Sequence, residues 1–298
     1  MKIINNLKVD AYVLNNYVLS KKERPFLCSF KLTYDCNLTC HQCPFHMMQS
    51  KNPSFEQVGN VLEELHERGN RIVVFEGGEP MLWKDKTYSI HDVVKSAKKS
   101  FFSVGMTTNG TLPLDVNTDI LWFSIDGLKD THNNLRNSNV FDKVIDNVKK
   151  SYHPKLFAHI TANRKNYSEI PELVKLLPKN VKGITLQFYY PYNNNDDLFL
   201  EFDKREKLLE EIIALKRGGY KIMNSYSGLE AMKKNNWKCV DWLVDNANPD
   251  GTITNGCYLK GRSDMDCKKC GFSPHVEVSL AYKGDLEAIR SGVSIFFK

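Results

Sequence analysis

Three cysteines in one short stretch are the residues best suited to chemistry. Cys36, Cys40 and Cys43 are separated by three and then two residues. Thiolates are soft ligands that suit iron–sulfur clusters and zinc. Three thiolates from one loop can hold three corners of a cubane cluster and leave the fourth iron open to a small molecule. His41 or His46 could instead complete a zinc site, so the loop alone leaves both metals open.

Four more cysteines lie within residues 237–275, namely Cys239, Cys257, Cys267 and Cys270. They make a complete thiolate set. A Cys-x-x-Cys pair is typical of structural zinc sites, and four thiolates also suit a second iron–sulfur cluster. Both interpretations stay open. The eighth cysteine, Cys28, falls within a predicted strand and is interpreted as a buried, inert thiol.

Four further stretches follow the first cysteines in a suggestive order. They are Phe75–Pro80 with its Gly-Gly-Glu-Pro, Thr107–Gly110, Ser124–Gly127 and the cysteine-rich C-terminus. With the cysteine spacing, these stretches resemble the radical S-adenosylmethionine (radical SAM) superfamily over residues 26–275. The resemblance implies a [4Fe–4S] cluster on Cys36, Cys40 and Cys43 whose open iron chelates SAM. The SAM is then cleaved reductively to a 5′-deoxyadenosyl radical.

The C-terminal cysteines, with the Pro249-Asp250-Gly251 turn between the first two, resemble the SPASM/twitch extensions of that superfamily. This resemblance implies one auxiliary [4Fe–4S] cluster on Cys239, Cys257, Cys267 and Cys270. Four cysteines suffice for one extra cluster and not two, so the extension is twitch-like.

The same resemblance assigns cofactor-binding residues. A Gly-Gly pair lets a backbone approach a ligand closely, and Gly78→Val is predicted to weaken SAM binding while sparing the cluster. The family usually has an aromatic residue before the third cysteine. Gln42 stands there in this chain, so the adenine contact is expected from Phe45. The predicted cofactor-binding residues are Gly77, Gly78, Glu79 and Pro80 at the methionine end of SAM, and Asn109, Ser124, Asp126, Arg136 and Asn163 elsewhere.

Short apolar runs alternate with amphipathic helical patterns from residue 26 onward. The predicted strands cover residues 28–33, 71–75, 101–106, 120–125, 156–161 and 184–188, and the last long helix covers 199–216. Such alternation predicts parallel strands with right-handed crossovers, and sites at the strands' carboxyl ends. We therefore predict an α/β fold, a partial (β/α)6 TIM-like barrel over residues 26–220. A preamble over residues 1–25 precedes it, and a small cysteine-rich extension over 221–298 follows.

Composition narrows the class of protein. The 298 residues are 42% hydrophobic and carry a net charge of +6. Neither a membrane-spanning apolar run nor a signal-peptide pattern is evident, so we expect a soluble, cytoplasmic protein with no membrane span. The excess charge comes without an RNA-binding motif, so a nucleic-acid partner is not expected.

The predicted function is modification of a peptide or small metabolite by hydrogen abstraction. It requires a low-potential electron donor of the flavodoxin or ferredoxin kind. A first alternative rests on Gly256–Leu259 and Cys267–Gly271, which also resemble adenosyl-hopene-transferase-like proteins. There the radical would add to an isoprenoid or lipid alkene. A second alternative is a zinc-binding, RNA-associated protein without enzymatic activity. The substrate stays open.

Overall fold

The structure is a computed structural model that describes residues 2–192 and 197–297, with side chains from residue 7 onward. One sheet has the strand order β10-β9-β1-β2-β5-β6-β7-β8. Its strands are β1 (Leu27–Thr33), β2 (Ile72–Gly77), β5 (Ser103–Thr108), β6 (Ile120–Ser124), β7 (Leu156–Ala162), β8 (Gly183–Phe188), β9 (Val244–Ala247) and β10 (Ile253–Asn255). A small hairpin is formed by β3 (Lys84–Asp85) and β4 (Tyr88–Ser89).

Helices connect and cover these strands. They are α1 (Lys2–Val13), α2 (Phe55–Arg68), α3 (Ile90–Ala97), α4 (Lys129–Arg136), α5 (Phe141–Lys150), α6 (Ile170–Leu176), α7 (Phe202–Arg217), α8 (Tyr226–Lys233), α9 (Ser273–Tyr282) and α10 (Leu286–Phe296). No helix among the described residues combines the length and the apolar composition needed to cross a bilayer.

The predicted α/β class and its six parallel strands are confirmed. Strands β1, β2, β5, β6, β7 and β8 pair in parallel in that order. The prediction that the helix over 199–216 is the last long one is wrong, because α9 and α10 follow it. Pro274 lies in the first turn of α9, where its missing N–H costs nothing, yet it makes the stretch look like a loop in the sequence.

The two faces of the sheet differ in chemistry. The outer face packs under the helices with residues such as Phe30, Phe75 and Phe123, all fully buried. The inner face is apolar only at the amino ends of the strands, where Trp122 packs against Ile295 and Phe296 of α10. Because side chains alternate along a strand, the same inner face continues toward the carboxyl ends of the strands, where its residues are polar. Helix α10 therefore plugs the lower end of the barrel and leaves a polar chamber above it.

The C-terminal segment joins both edges of the six-stranded core. At one edge, β9 pairs in parallel with β1, and Asn246 Nδ2 donates to the Gly256 carbonyl at 3.0 Å. At the other edge, Phe188 N of β8 donates to the Gly271 carbonyl at 3.0 Å. Residues 256–271 thus span the gap that six strands leave open. The boundaries at residues 25 and 220 stay predictions, although β9 shares the core sheet.

Helix α2 shows how local sequence sets an element. Ser54 and Gln57 form a reciprocal capping box at its start, and Gly69 with φ of 125° ends it. Tyr12 of α1 donates its hydroxyl to the Gly69 carbonyl at 2.7 Å and packs on Phe26. The N-terminal helix therefore lies against the amino ends of the strands, opposite the chamber.

Candidate active site at the carboxyl ends of the strands

The cysteine loop after β1 is braced by the Gly-Gly segment after β2. Gly78 N donates to the Thr33 carbonyl at 2.7 Å, and Glu79 N donates to the Asp35 carbonyl at 2.8 Å. A Cβ on Gly78 would collide with the Asp35 carbonyl oxygen, one residue before Cys36. Gly77 has φ of 118°, a conformation that favours glycine. The predicted SAM segment therefore also positions the first cysteine.

Glu79 links two of the predicted motifs. Its carboxylate is fully buried and accepts hydrogen bonds from Thr108 Oγ1 at 2.8 Å and Asn109 N at 2.7 Å. Met81 N also donates to it at 3.1 Å, within the short turn that Pro80 begins. Burial raises the pKa of Glu79, although these donors favour its ionised form.

Asn109 connects the end of β5 to the cysteine loop. Its Nδ2 donates to Asn37 Oδ1 at 2.8 Å and lies 3.8 Å from Cys36 Sγ. Its Oδ1 accepts from Thr111 N at 2.9 Å. Burial raises the pKa of the Cys36 thiol, and it raises that of Cys43 to about 11. A bound metal would be needed to hold these sulfurs as thiolates at neutral pH.

Asp126 and Arg136 form a buried ion pair beside the second and third cysteines. Arg136 Nη2 lies 2.6 Å from Asp126 Oδ2, and Arg136 Nη1 lies 3.8 Å from Cys40 Sγ. Gln42 Nε2 also donates to Asp126 Oδ2, at 2.7 Å. Burial by itself would lower the pKa of Arg136, but Asp126 and Cys40 outweigh it and raise that pKa. Arg136 Nε and Gln42 Oε1 are buried without a partner among the described residues.

Ser124 and Asn163 lie farther from this network. Ser124 pairs with His159 across β6 and β7 and is half-buried on the inner face. Asn163 closes the turn after β7, since its Oδ1 accepts from Lys165 N at 2.9 Å and its Nδ2 donates to the Thr161 carbonyl at 3.3 Å. Phe45 is buried and stacks on Tyr34 with ring centroids 5.6 Å apart. Its contact with adenine stays a prediction.

The polar chamber contains a group that the sequence reasoning missed. Lys31 is fully buried on β1, and its Nζ lies 3.3 Å from Glu76 Oε1 and 2.9 Å from Asn246 Oδ1. The same Nζ lies 4.3 Å from the centre of the Tyr258 ring. Burial lowers the pKa of Lys31 to about 8, and Glu76 opposes that shift. The alternation of Ser29, Lys31 and Thr33 with apolar residues in β1 was the signal for this inner face.

The opposite wall of the chamber is also polar. His159 Nδ1 lies 2.9 Å from Thr185 Oγ1, and Gln187 Nε2 donates to Thr161 Oγ1 at 3.5 Å. These side chains are half-buried, as is Glu76, which shows that the chamber is accessible. Burial lowers the pKa of His159, and the negative charges of Asp126 and Glu76 oppose that shift. Polar groups therefore line both walls.

The four C-terminal cysteines come from separate segments into one group. Burial raises the pKa of Cys270 to about 11, and the neighbouring Cys257 and Cys267 raise it further. Burial likewise raises the pKa of Cys239 to about 12, and the neighbouring Cys270 raises it further. Cys257 Sγ accepts from Leu259 N at 3.5 Å, as cluster sulfurs commonly do.

Aromatic residues beside the cysteines join the two groups. The Phe45 ring, two residues after Cys43, lies 6.1 Å from the Tyr258 ring. The Tyr258 ring lies 5.3 Å from that of Phe272, two residues after Cys270. Within residues 2–192 and 197–297, no three His, Cys, Asp or Glu side chains converge tightly enough to hold a single metal ion.

Arg205 of α7 is a buried charged residue that contacts the second group. It is fully buried, and its Nη1 donates to the Cys270 carbonyl at 2.9 Å. Its guanidinium lies 4.3 Å from the centre of the Phe188 ring. Burial lowers the pKa of Arg205 to about 10, which the neighbouring Cys270 opposes.

Two family models match this chain, and the boundary between them lies between α6 and β8. The Radical SAM superfamily matches residues 30–177. A domain of unknown function (DUF3463) matches residues 183–280, which include β8 and all four C-terminal cysteines.

Curated relatives share only part of their length with this chain. Fe-coproporphyrin III synthase of Methanosarcina barkeri is 25% identical over 238 residues, which cover 71% of this chain and 58% of that protein. The sporulation killing factor maturation protein SkfB of Bacillus subtilis is 26% identical over 167 residues, covering 51% and 39%. The chain spans between 38% and 58% of the length of the first four relatives it matches.

Solved structures share the fold. SuiB of Streptococcus suis bound to S-adenosylmethionine aligns with a TM-score of 0.64 and 14% identity, over 92% of this chain and 66% of that one. Native anSMEcpe with bound AdoMet and a peptide aligns with a TM-score of 0.63 and 17% identity, over 92% of this chain and 84% of that one. At these identities the likeness concerns the fold alone. Taken with the match over residues 30–177, the ordered motifs and the parallel sheet show that this chain belongs to the radical SAM superfamily.

Proposed function

We propose that this chain is a radical SAM enzyme that modifies a peptide by hydrogen abstraction. One observation carries the proposal: the cysteine loop, the Gly-Gly-Glu-Pro segment and an accessible polar chamber all lie at the carboxyl ends of the same parallel strands. In barrels of this kind, that end holds the active site.

The first cysteine group fits a [4Fe–4S] cluster that leaves one iron open. Its three sulfurs come from a single braced loop, and Asn109 Nδ2 and Arg136 Nη1 point toward two of them at 3.8 Å. The unpartnered Gln42 Oε1 and Arg136 Nε leave one acceptor and one donor for a ligand beside the loop. Together, SAM and such a cluster supply a hydrogen-abstracting deoxyadenosyl radical.

The chain's own residues position the reaction. Gly77 and Gly78 keep the backbone close to the cysteine loop, and we propose that the same segment, with Pro80, borders the methionine end of SAM. Glu79 fixes that segment to β5 through Asn109. Ser124, Asp126, Arg136 and Asn163 remain proposed contacts for the ribose, the carboxylate or the substrate. Helix α10 closes the lower end of the barrel and excludes water from below.

The chamber favours a polar substrate over an isoprenoid. An alkene chain in it would remove water from the half-buried Glu76, His159 and Gln187 and offer them no hydrogen bonds beyond those they make to protein side chains. Removing water from polar and charged groups without new hydrogen bonds is costly. Amide groups of a peptide can pair with all three. The peptides bound in the structures of SuiB and anSMEcpe, and the maturation activity named for SkfB, are consistent with this choice. A small polar metabolite is the nearest rival, and radical addition to a lipid is the less favoured one.

We further propose that Cys239, Cys257, Cys267 and Cys270 hold an auxiliary [4Fe–4S] cluster. Four thiolates leave no open iron, so this centre would transfer electrons or stabilise the fold. Zinc is the alternative metal, and a zinc-binding, RNA-associated role is the non-enzymatic rival. The proposed activity also needs a low-potential donor of the flavodoxin or ferredoxin kind and a reducing compartment such as the cytoplasm.

Anaerobic reconstitution tests these proposals together. Wild-type protein is expected to bind about eight irons, with labile sulfide, as two four-iron clusters. Replacing Cys267 and Cys270 by Ala should remove about half of that iron, lower thermal stability and leave substrate-free SAM cleavage partly intact. About one zinc with about four irons in wild type would show that the second cysteine group holds zinc and not an iron–sulfur cluster. Zinc without iron or sulfide would favour the non-enzymatic rival.

Deuterium transfer tests the reaction type. A peptide encoded beside the gene, deuterated at candidate positions, is incubated with the reduced enzyme and SAM. Hydrogen abstraction predicts free deoxyadenosine that carries deuterium. Deoxyadenosine covalently joined to the product would instead establish radical addition.

A further inference from the structure

Arg205 is a buried cation whose charge has no anionic partner among the described residues. Its side chain has no solvent exposure, and its Nε and Nη2 atoms have no hydrogen-bond partner there. The acidic residues near it in the chain do not neutralise it: Glu201 pairs with Arg164, Glu206 pairs with Lys234, and Asp203 is exposed to solvent. An uncompensated buried charge is strongly unfavourable, so this arginine points to a missing anion.

The arginine is held in one orientation. Phe188 and Phe202 place their ring centres 4.3 and 4.7 Å from the guanidinium carbon, and Nη1 donates to the Cys270 carbonyl. Ring faces attract cations but only partly replace a full negative charge. Cys270 also lies at the end of β8, because Gly271 packs directly on Phe188. The guanidinium is therefore fixed beside one member of the second cysteine group.

We propose that Arg205 is the buried counter-cation of an anionic metal–tetrathiolate centre on Cys239, Cys257, Cys267 and Cys270. The inference rests on the proposed second metal site and adds a residue to it. Four thiolates outweigh the charge of either Zn²⁺ or a [4Fe–4S] core, so the centre is anionic with both metals. Arg205 thereby stabilises the loaded site and destabilises the empty one.

That role predicts opposite effects of one substitution in two states. In metal-free protein, Arg205→Met removes an uncompensated buried charge and should raise the melting temperature. In metal-loaded protein, it removes the counter-cation and should lower metal affinity at least tenfold. Arg205→Lys keeps the charge but loses the planar fork, so its affinity should lie between those of Met and wild type.

The test uses the full chain carrying Cys36→Ala, Cys40→Ala and Cys43→Ala, so that bound metal reports on the second group alone. Zn²⁺ affinity is measured by chelator competition, and Co²⁺ absorption verifies thiolate ligation. Lys207→Met, at an exposed position of the same helix, is the matched control and should change neither quantity. The melting temperature of each variant is measured with and without Zn²⁺.

Each outcome has one meaning. Opposite shifts for Arg205→Met, with Lys207→Met unchanged, establish the counter-cation. The proposal is overturned if the Zn²⁺ affinity of Arg205→Met lies within twofold of wild type. It is also overturned if Arg205→Met lowers the melting temperature equally in the metal-free and the Zn²⁺-loaded protein. If Arg205→Met does not fold, Arg205→Lys with unaltered Zn²⁺ affinity overturns it as well. Absence of Zn²⁺ and Co²⁺ binding in the parent chain, together with absence of bound iron after its anaerobic reconstitution with iron and sulfide, instead refutes the second metal site itself.

Discussion

The two cysteine groups are assembled in different ways. The first comes from one loop of eight residues, from Cys36 to Cys43, braced by backbone hydrogen bonds from Gly78 and Glu79. The second draws four cysteines from residues 239–270, and it forms only where β9 and β8 bring distant segments together. A local loop can stay formed without metal, whereas a dispersed group depends on metal to offset the entropy of ordering it.

The buried arginines beside the two groups differ in the same way. Arg136 has Asp126 as its counter-ion at 2.6 Å, so the first site is balanced before any cofactor binds. Arg205 has no such carboxylate among the described residues. The charge of Arg136 is therefore neutralised whether or not a ligand is bound at the first site. The charge of Arg205 is neutralised only while an anion stays bound at the second site.

The largest expected effect separates the groups by function. Replacing Cys36, Cys40 and Cys43 together by Ala should abolish SAM cleavage, because only the cluster on these cysteines leaves an iron open to SAM. It should also remove about half of the iron, since one of two four-iron clusters is lost. Deoxyadenosine formation by chromatography and iron content are the measurements. Cys28→Ala, at a buried thiol on β1, is the control and should retain cleavage. Deoxyadenosine from the triple variant would end the radical SAM proposal.

A second substitution removes the carboxylate partner of Arg136, so that Arg136, like Arg205, is buried without a counter-ion. Asp126→Asn leaves Arg136 buried without its counter-ion, so metal-free protein should lose about 3–5 kcal/mol of unfolding free energy. An anionic cluster should recover part of that loss, so the loaded protein should lose less. Anaerobic urea unfolding of both forms measures the difference, with exposed Asp130→Asn on α4 as the control. Equal losses in the two forms would show that the cluster does not act on Arg136.

A third substitution tests the brace of the first loop. The expectation that a side chain at Gly78 spares the cluster is revised by the structure, since even a Cβ meets the Asp35 backbone beside Cys36. Gly78→Ala should cost about 1–3 kcal/mol and weaken both cluster retention and SAM affinity. Gly59→Ala has open space within α2 and should instead stabilise by about 0.5–1 kcal/mol. Full iron retention with reduced SAM affinity would restore the original expectation.

The smallest effect concerns α9, behind the second group. Burial raises the pKa of Glu277 to about 7 from an ordinary 4.5, against hydrogen bonds from Ser225. The folded state therefore holds a proton that the unfolded state loses, so stability should fall by roughly 1–2 kcal/mol between pH 4.5 and 7 and level off above. Urea unfolding across that range measures it in metal-free protein of the Cys267→Ala, Cys270→Ala background, where metal loss cannot contribute. Adding Glu277→Gln should remove the slope, and an unchanged slope would assign it to another group.

Much of the fold could be predicted because its signals are local. Ser54 with Gln57 set the start of α2, and alternating apolar runs set six strands within a few residues of their ends. The strands β9 and β10 were missed because each is at most four residues long and has no helix of its own. Helix α9 was missed because Pro274 and alternating valines, Val276 and Val278, obscure a helical period.

The sequence by itself determined the first cysteine loop, the segments that follow β2, β5 and β6, and the superfamily, because each depends on spacing within a few residues. Only the tertiary structure decided which residues face one another across the chamber and beside the second group. Lys31 meets Asn246 across 215 positions, and Arg205 meets Cys270 across 65. Contacts at such separations arise from strand order and helix packing, which no local pattern encodes.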